Sequence, residues 1–346
     1  MPLSLVCLLA GLLLSLSSLT FAAEADSPAG GASPIRLGII GLDTSHVKAF
    51  TDAINGPKVK PELQGMRIVA AFPGGSPDLP TSIDRVAGFT EDVKKLGVEI
   101  VDSIDVLLTK VDAVLLESVD GRPHLAQARP VIKAGKPLFI DKPAAASLAD
   151  AMEIYRLAAE ANVPCFSSSS LRFSPGIAAM RNDPKIGDVL GCMAYSPCSL
   201  EPHHPDLFWY GIHGVEMLYT IMGPGCVSVS RTHTADTDVV TGVWQDGRVG
   251  TFRGLRGGKP GYGALVFGSK GNGPSGSYGG YEPLLVEIGK FLQTRKPPVA
   301  AAETIEILAF MEAADESKRQ NGAAVTLASV MAKAKAAGPS DASSAK

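Results

Sequence analysis

Charge is scarce in this chain and absent from its start. Residues 1–23 carry no Lys, Arg, Asp or Glu, while Leu3 to Leu19 is a Leu/Ser-rich apolar run. Small residues follow at Ala22-Ala23-Glu24-Ala25. That order predicts a signal peptide at 1–23 cut after Ala23, and an exported chain, periplasmic or secreted, with no stable membrane insertion after cleavage. The missing basic n-region keeps an N-terminal membrane anchor open as the alternative. Charged residues make up 19% of the chain and its net charge is −3, which gives no footing for nucleic acid or an anionic membrane. Cysteine is sparse too. Beyond Cys7 stand Cys165, Cys192, Cys198 and Cys226, at spacings that match no zinc motif and allow three full pairings or buried free thiols.

What is present is a run of short apolar segments between helical patterns, in a chain long enough for two domains. Residues 24–34 and 336–346 are Pro/Gly/Ser/Ala-rich and read as a linker and a disordered tail. Between them, residues 35–166 alternate strand and helix: Ile35 to Ile40, Met66 to Phe72, Ala113 to Leu116 and Leu138 to Ile140 are apolar strands of a parallel sheet. Residues 167–335 read differently, with five amphipathic strands from Asp188 to Phe267 and two late helices. The expected fold is α/β: an N-terminal Rossmann-like doubly wound parallel sheet, then an α+β domain with a mostly antiparallel sheet.

The stretch Gly135-Lys136-Pro137-Leu138-Phe139-Ile140-Asp141-Lys142-Pro143 carries the chemistry. A buried strand ends on two charges and a proline, which presents Lys142 at the carboxyl edge of the sheet, where ligands of such folds bind. Together with Arg122-Pro123-His124, it resembles the Gfo/Idh/MocA family of glucose–fructose oxidoreductases and inositol dehydrogenases, with Asp141 in place of that family's Glu. The resemblance runs over roughly residues 35 to 335. It implies hydride transfer between NAD or NADP and a sugar, cyclitol or glycoside. Lys142 and His213 are the implied catalytic pair, with Gly41, Thr44, Ser45, Ser118, Asp120, Asp141 and Lys142 around the cofactor. It also implies that Arg172, His203, His204, Asp206, Tyr210 and His213 face the substrate. His124 matches the family's helix histidine and reads as structural. Trp209, Trp244, Tyr262, Tyr278 and Tyr281 are candidates for a carbohydrate-facing wall. A homo-oligomer through the C-terminal sheet is a further expectation.

Two absences work against that reading. After the first strand, Gly41 stands alone where G-x-G-x-x-G is usual, with Asp43 and His46 in the places of the later glycines. The second strand runs into Pro73-Gly74-Gly75-Ser76, with no acid for a ribose hydroxyl. If Asp43 caps the following helix, its carboxylate fills the phosphate site. If it turns away, the Thr44 and Ser45 hydroxyls can replace the glycine N–H groups. A cofactor-free carbohydrate-binding protein is therefore an alternative. A metal-dependent lyase or hydrolase on His203, His204, Asp206, His213 and Glu216 is a second one, without a recognised ligand spacing.

Overall fold

The computed structural model describes residues 33–340. The expected signal peptide, most of the linker and the end of the tail lie outside them. Among the described residues, no helix is long and apolar enough to cross a membrane.

The first sheet has six parallel strands: β1 (Ile35–Ile40), β2 (Met66–Phe72), β3 (Glu99–Ile100), β4 (Ala113–Leu116), β5 (Leu138–Asp141) and β6 (Cys165–Ser168). Their order is β3-β2-β1-β4-β5-β6, so the winding reverses between β1 and β4. Helices α1 (Ser45–Asn55), α2 (Pro80–Lys95), α3 (Ile104–Lys110), α4 (His124–Lys133) and α5 (Leu148–Glu160) make the crossovers. β1, β4 and β5 are almost wholly buried, which is why they read as continuous apolar runs. Ser147 caps α5 by accepting from the Asp150 backbone N–H, as its place before an Ala-rich run predicts.

The second sheet takes β7 (Val189–Pro197), β8 (Cys226–His233), β9 (Thr237–Trp244), β10 (Val249–Leu255), β11 (Gly263–Gly268), β12 (Asn272–Pro274) and β13 (Val325–Thr326). Its order is β12-β11-β7-β10-β9-β8-β13, and it is antiparallel except where β7 runs parallel to β10. Six helices belong to this half: α6 (Pro175–Ala178), α7 (Asp206–Trp209), α8 (Ile212–Met222), α9 (Glu282–Thr294), α10 (Ala301–Arg319) and α11 (Leu327–Ala337). α8 is buried along its whole length. Gly214 lets it lie against β10, since a Cβ there would come within 2.2 Å of the Phe252 ring.

The two halves share their cores. Leu284, Leu285, Ile288 and Phe291 of α9 pack with Leu37, Phe50, Phe139 and Phe166 of the first half. Phe166 and Phe291 meet edge to face with centroids 4.9 Å apart. Each such side chain contributes about 1.5–3 kcal/mol on burial, so this return of the chain holds the halves in register. β6 runs across residue 166, where the first domain is expected to end, to Ser168. The expected tail is partly ordered: α11 continues to Ala337, and Ser340 bonds Asp150 through both N and Oγ. Cys165, Cys192, Cys198 and Cys226 are free and buried. Burial pushes each of these thiols up to about 12.

Candidate active site

A cleft of about 380 Å³ lies over the carboxyl edge of the first sheet. Thr44, Ser45 and His46 from the start of α1 line one side, with Thr81, Arg85 and Phe89 of α2. Lys142, at the end of β5, and His213, on the first turn of α8, line the other. Tyr210, Tyr262, Tyr278 and Tyr281 close the wall beside Trp209, Ser170 and Ser199. This is the β1/β4 switch region, where open α/β sheets bind ligands. The sequence-predicted pair, Lys142 and His213, is thus brought into one cleft.

Lys142 Nζ sits 5.6 Å from the Tyr210 ring centroid, a cation–π distance. His213 Nδ1 lies 2.7 Å from Ser169 Oγ. Burial, and then the Lys142 charge, push the His213 imidazole well below its ordinary range, so it is neutral near pH 7. When Nδ1 carries the proton and donates to Ser169 Oγ, Nε2 keeps its lone pair for a substrate hydroxyl.

The α1 turn departs from expectation in an informative way. Thr44, not Asp43, is the N-cap of α1. Asp43 is fully buried and outside the cleft lining: it accepts from Ser82 Oγ at 2.6 Å and from the Val119 N–H at 2.9 Å. It therefore ties the β1–α1 turn to α2 and to the loop after β4, and it does not fill the anion site. Burial pushes its carboxyl up against these bonds. Gly41 adopts φ +91°, and a Cβ there would meet Ser118 at 2.5 Å, so only glycine lets the two loops touch. With Asp43 turned away and Ser45 exposed at the helix start, the turn leaves room for a phosphate-bearing cofactor at the α1 N-terminus, with Arg85 across from it.

Several expected ligands are engaged elsewhere. Ser118 Oγ donates to Gln127. Asp120 is buried and receives Ser76, Arg122 and His204; these bonds outweigh burial and hold its carboxyl well below the usual range. Asp141 faces His46. Arg172 is buried against Glu216 and Glu303, so its guanidinium is spent on the protein. His204 is buried with Nε2 3.1 Å from Asp120 Oδ1 and 3.2 Å from the Gly121 nitrogen, a strut between the halves. His203 pairs with Glu201 at 2.7 Å, and Asp206 with Arg231 and Lys318. None of these residues lines the cleft. The metal set imagined on His203, His204, Asp206, His213 and Glu216 is thus dispersed. Trp244 is core, its indole N–H donated to Gly223. His124 is structural, bridging the Ser118 and Ala144 carbonyls.

Two residues at the edge were missed. Glu117, directly after β4, is wholly buried, and burial first, then the Asp141 charge, push its carboxyl well above the usual range. His46, read only as standing in the place of a glycine, lies over it. An acid closing each of two neighbouring parallel strands was the available signal.

Residues 35–169 match the family described as oxidoreductase family, NAD-binding Rossmann fold (GFO_IDH_MocA). An uncharacterized oxidoreductase of Streptococcus pneumoniae is 29% identical over 160 residues, 43% of this chain and 42% of that protein. The chain therefore spans less than half of that relative's length in the match. The structure of scyllo-inositol dehydrogenase from Lactobacillus casei, with NAD(H) and scyllo-inositol bound, aligns over 86% of this chain and 100% of that one, at TM-score 0.69 and 17% identity. Myo-inositol 2-dehydrogenase from Lactobacillus plantarum aligns over 85% and 99%, at TM-score 0.69 and 15% identity. At these identities the solved structures establish the fold alone, and the sequence match concerns its first half. Over residues 35–169, then, the chain is similar to the Gfo/Idh/MocA oxidoreductases with an NAD-binding Rossmann fold.

Proposed function

We propose that this chain is an NAD(P)-dependent oxidoreductase that oxidises or reduces a carbon of a polyhydroxylated substrate: a sugar, a cyclitol or a glycoside. The observation that carries this reading is the meeting of Lys142, His213 and a wall of tyrosines in one cleft beside the α1 N-terminus. A bound nicotinamide would supply the hydride acceptor or donor. Thr44, Ser45 and Arg85 would hold its phosphates. Neutral His213 takes the hydroxyl proton at Nε2. The Lys142 ammonium stabilises negative charge that develops on the same oxygen. Tyr210, Tyr262 and Tyr278 offer both hydroxyls and ring faces to a substrate rich in hydroxyl groups. The inositol bound in the Lactobacillus casei enzyme is of that chemical class.

The cofactor-free alternative drew on Asp43 blocking the phosphate site, and the position of Asp43 removes that argument. The test is twofold. Calorimetric titration with NAD(H) and NADP(H) is expected to show one dinucleotide bound per chain. A panel of cyclitols, sugars and glycosides is then expected to give reduced nicotinamide, followed by its absorbance. No binding of either dinucleotide would sink the oxidoreductase reading; binding without turnover on any polyol would sink the substrate class.

A further inference from the structure

Below the cleft floor lies a group of side chains that the hydride chemistry does not use. Glu117 directly follows β4, the neighbouring β5 ends on Asp141, and α1 sets His46 over both. His46 Nδ1 is 2.7 Å from an Asp141 oxygen and 4.0 Å from a Glu117 oxygen. One donor atom from each residue lies within 4.8 Å of the other two. The three side chains are 7%, 0% and 2% exposed for His46, Glu117 and Asp141.

Their polar atoms are poorly paired. Among the described residues, neither Glu117 oxygen has a hydrogen-bond partner, nor does Asp141 Oδ1. The His46 Nδ1 approach to Asp141 is close, but it does not have hydrogen-bond geometry. A buried carboxylate left without partners costs several kcal/mol on general grounds, and here two such groups face each other. The Lys142 ammonium, next to Asp141 in the chain, offsets part of that charge. Asp43 adds negative field, but its own oxygens are taken by Ser82 and Val119.

We propose that His46, Glu117 and Asp141 form a binding site for a divalent transition cation of the Mn²⁺ or Zn²⁺ class, set beneath the cleft. One imidazole nitrogen with two carboxylates suits such ions, whereas Mg²⁺ and Ca²⁺ favour all-oxygen sets. The three elements that carry the ligands are held by the sheet itself: β4 and β5 are paired through Leu116 and Ile140, one residue before each acid. His46 also lines the cleft, which sets the site directly beneath it. Three protein ligands leave coordination positions there for water or a substrate oxygen. The site involves neither Lys142 Nζ nor His213 as ligands, so it stands or falls apart from the oxidoreductase reading.

The full chain, stripped with a chelator and re-equilibrated, would be titrated calorimetrically with MnCl₂ and with ZnCl₂, with elemental analysis of the recovered protein. One equivalent of at least one ion per chain is expected, raising the melting temperature. Glu117→Gln, nearly isosteric, is expected to weaken binding by about a hundredfold or more, a ligand loss counting at least as much as an outer-shell change. His46→Gln gives a second variant should the first fail to fold, while Asp206→Asn, remote from the trio, keeps wild-type binding. Folded wild type that takes up neither ion overturns the site. So does uptake undiminished in a folded variant. A Glu117→Gln chain more stable than a wild type that takes up no ion assigns the trio to a shared proton instead.

Discussion

At the scale of single residues, the cleft separates two roles that one histidine and one lysine can fill. Lys142 directly follows a strand, sits over the Tyr210 ring and offsets part of the charge of the buried Glu117 and Asp141, so Lys142→Ala is expected to lower the melting temperature only modestly. Turnover should fall by about 10²- to 10⁴-fold, the usual scale for losing a group that acts on the reacting proton or charge. Steady-state kinetics beside a thermal melt checks this. Activity that persists with only KM altered would remove Lys142 from the chemistry.

His213 has a pH signature with a definite sign. Its folded-state pKa is depressed from 6.5, so the neutral base persists below the pH at which a free imidazole protonates. In the oxidation direction, the acid limb of kcat/KM is expected below pH 6.5, and a limb at or above 6.5 would contradict the assignment. Stability follows the same shift. The unfolded chain binds the His213 proton more readily, so this contribution is present above pH 6.5 and is lost as pH falls towards the folded pKa.

At the scale of elements, the loop after β1 shows what a sequence conceals. That Asp43 departs from the glycine pattern was legible, but not the direction its carboxylate takes. Ser82 and Val119, the partners that decide it, lie far along the chain. Read as a cap, Asp43→Gly would cost little and open the phosphate site. With two buried hydrogen bonds to lose, it is instead expected to cost roughly 3 kcal/mol, at about 1–3 kcal/mol for each stranded partner. It should weaken dinucleotide binding by loosening the turn. Urea denaturation and titration of both proteins measure the two effects, and tighter binding by the glycine variant would restore the cap reading. The same limit explains the histidine-rich stretch. His203, His204 and Asp206 look like a site because they are adjacent, yet each is claimed by a different partner, Asp206 by Lys318 at 112 positions' distance. Lys142 and His213 were legible because strand-end position and motif fix them locally. Helix α11 was hidden by its Ala/Lys composition, although Thr326 supplies an ordinary cap.

At the scale of the whole molecule, the second sheet has one face covered and one open. α8 and α10 pack with residues such as Phe252, Val240 and Val229 on the covered face. On the other face Met193, Tyr195, Val243, Val249 and Phe267 are all more than a third exposed. Register makes them neighbours: Val249 pairs with Val243, and Leu265 with Met193, which in turn sits opposite Thr251. An open apolar face spread over four adjacent strands is more than a monomer's scattered surface residues, and faces of that kind mark contact surfaces. A second copy of this chain is the expected occupant, because a sheet face related by a two-fold axis presents the same apolar row to itself. Sedimentation velocity on the purified chain is expected to find a dimer or a higher even-numbered assembly. Met193→Lys combined with Val243→Lys sets charges into the middle of that row, at positions that touch neither the cleft nor the core. The double variant should sediment as a folded monomer with an unchanged circular dichroism spectrum. A wild type that is monomeric at micromolar concentration, or a variant that assembles as wild type does, would place the contact elsewhere.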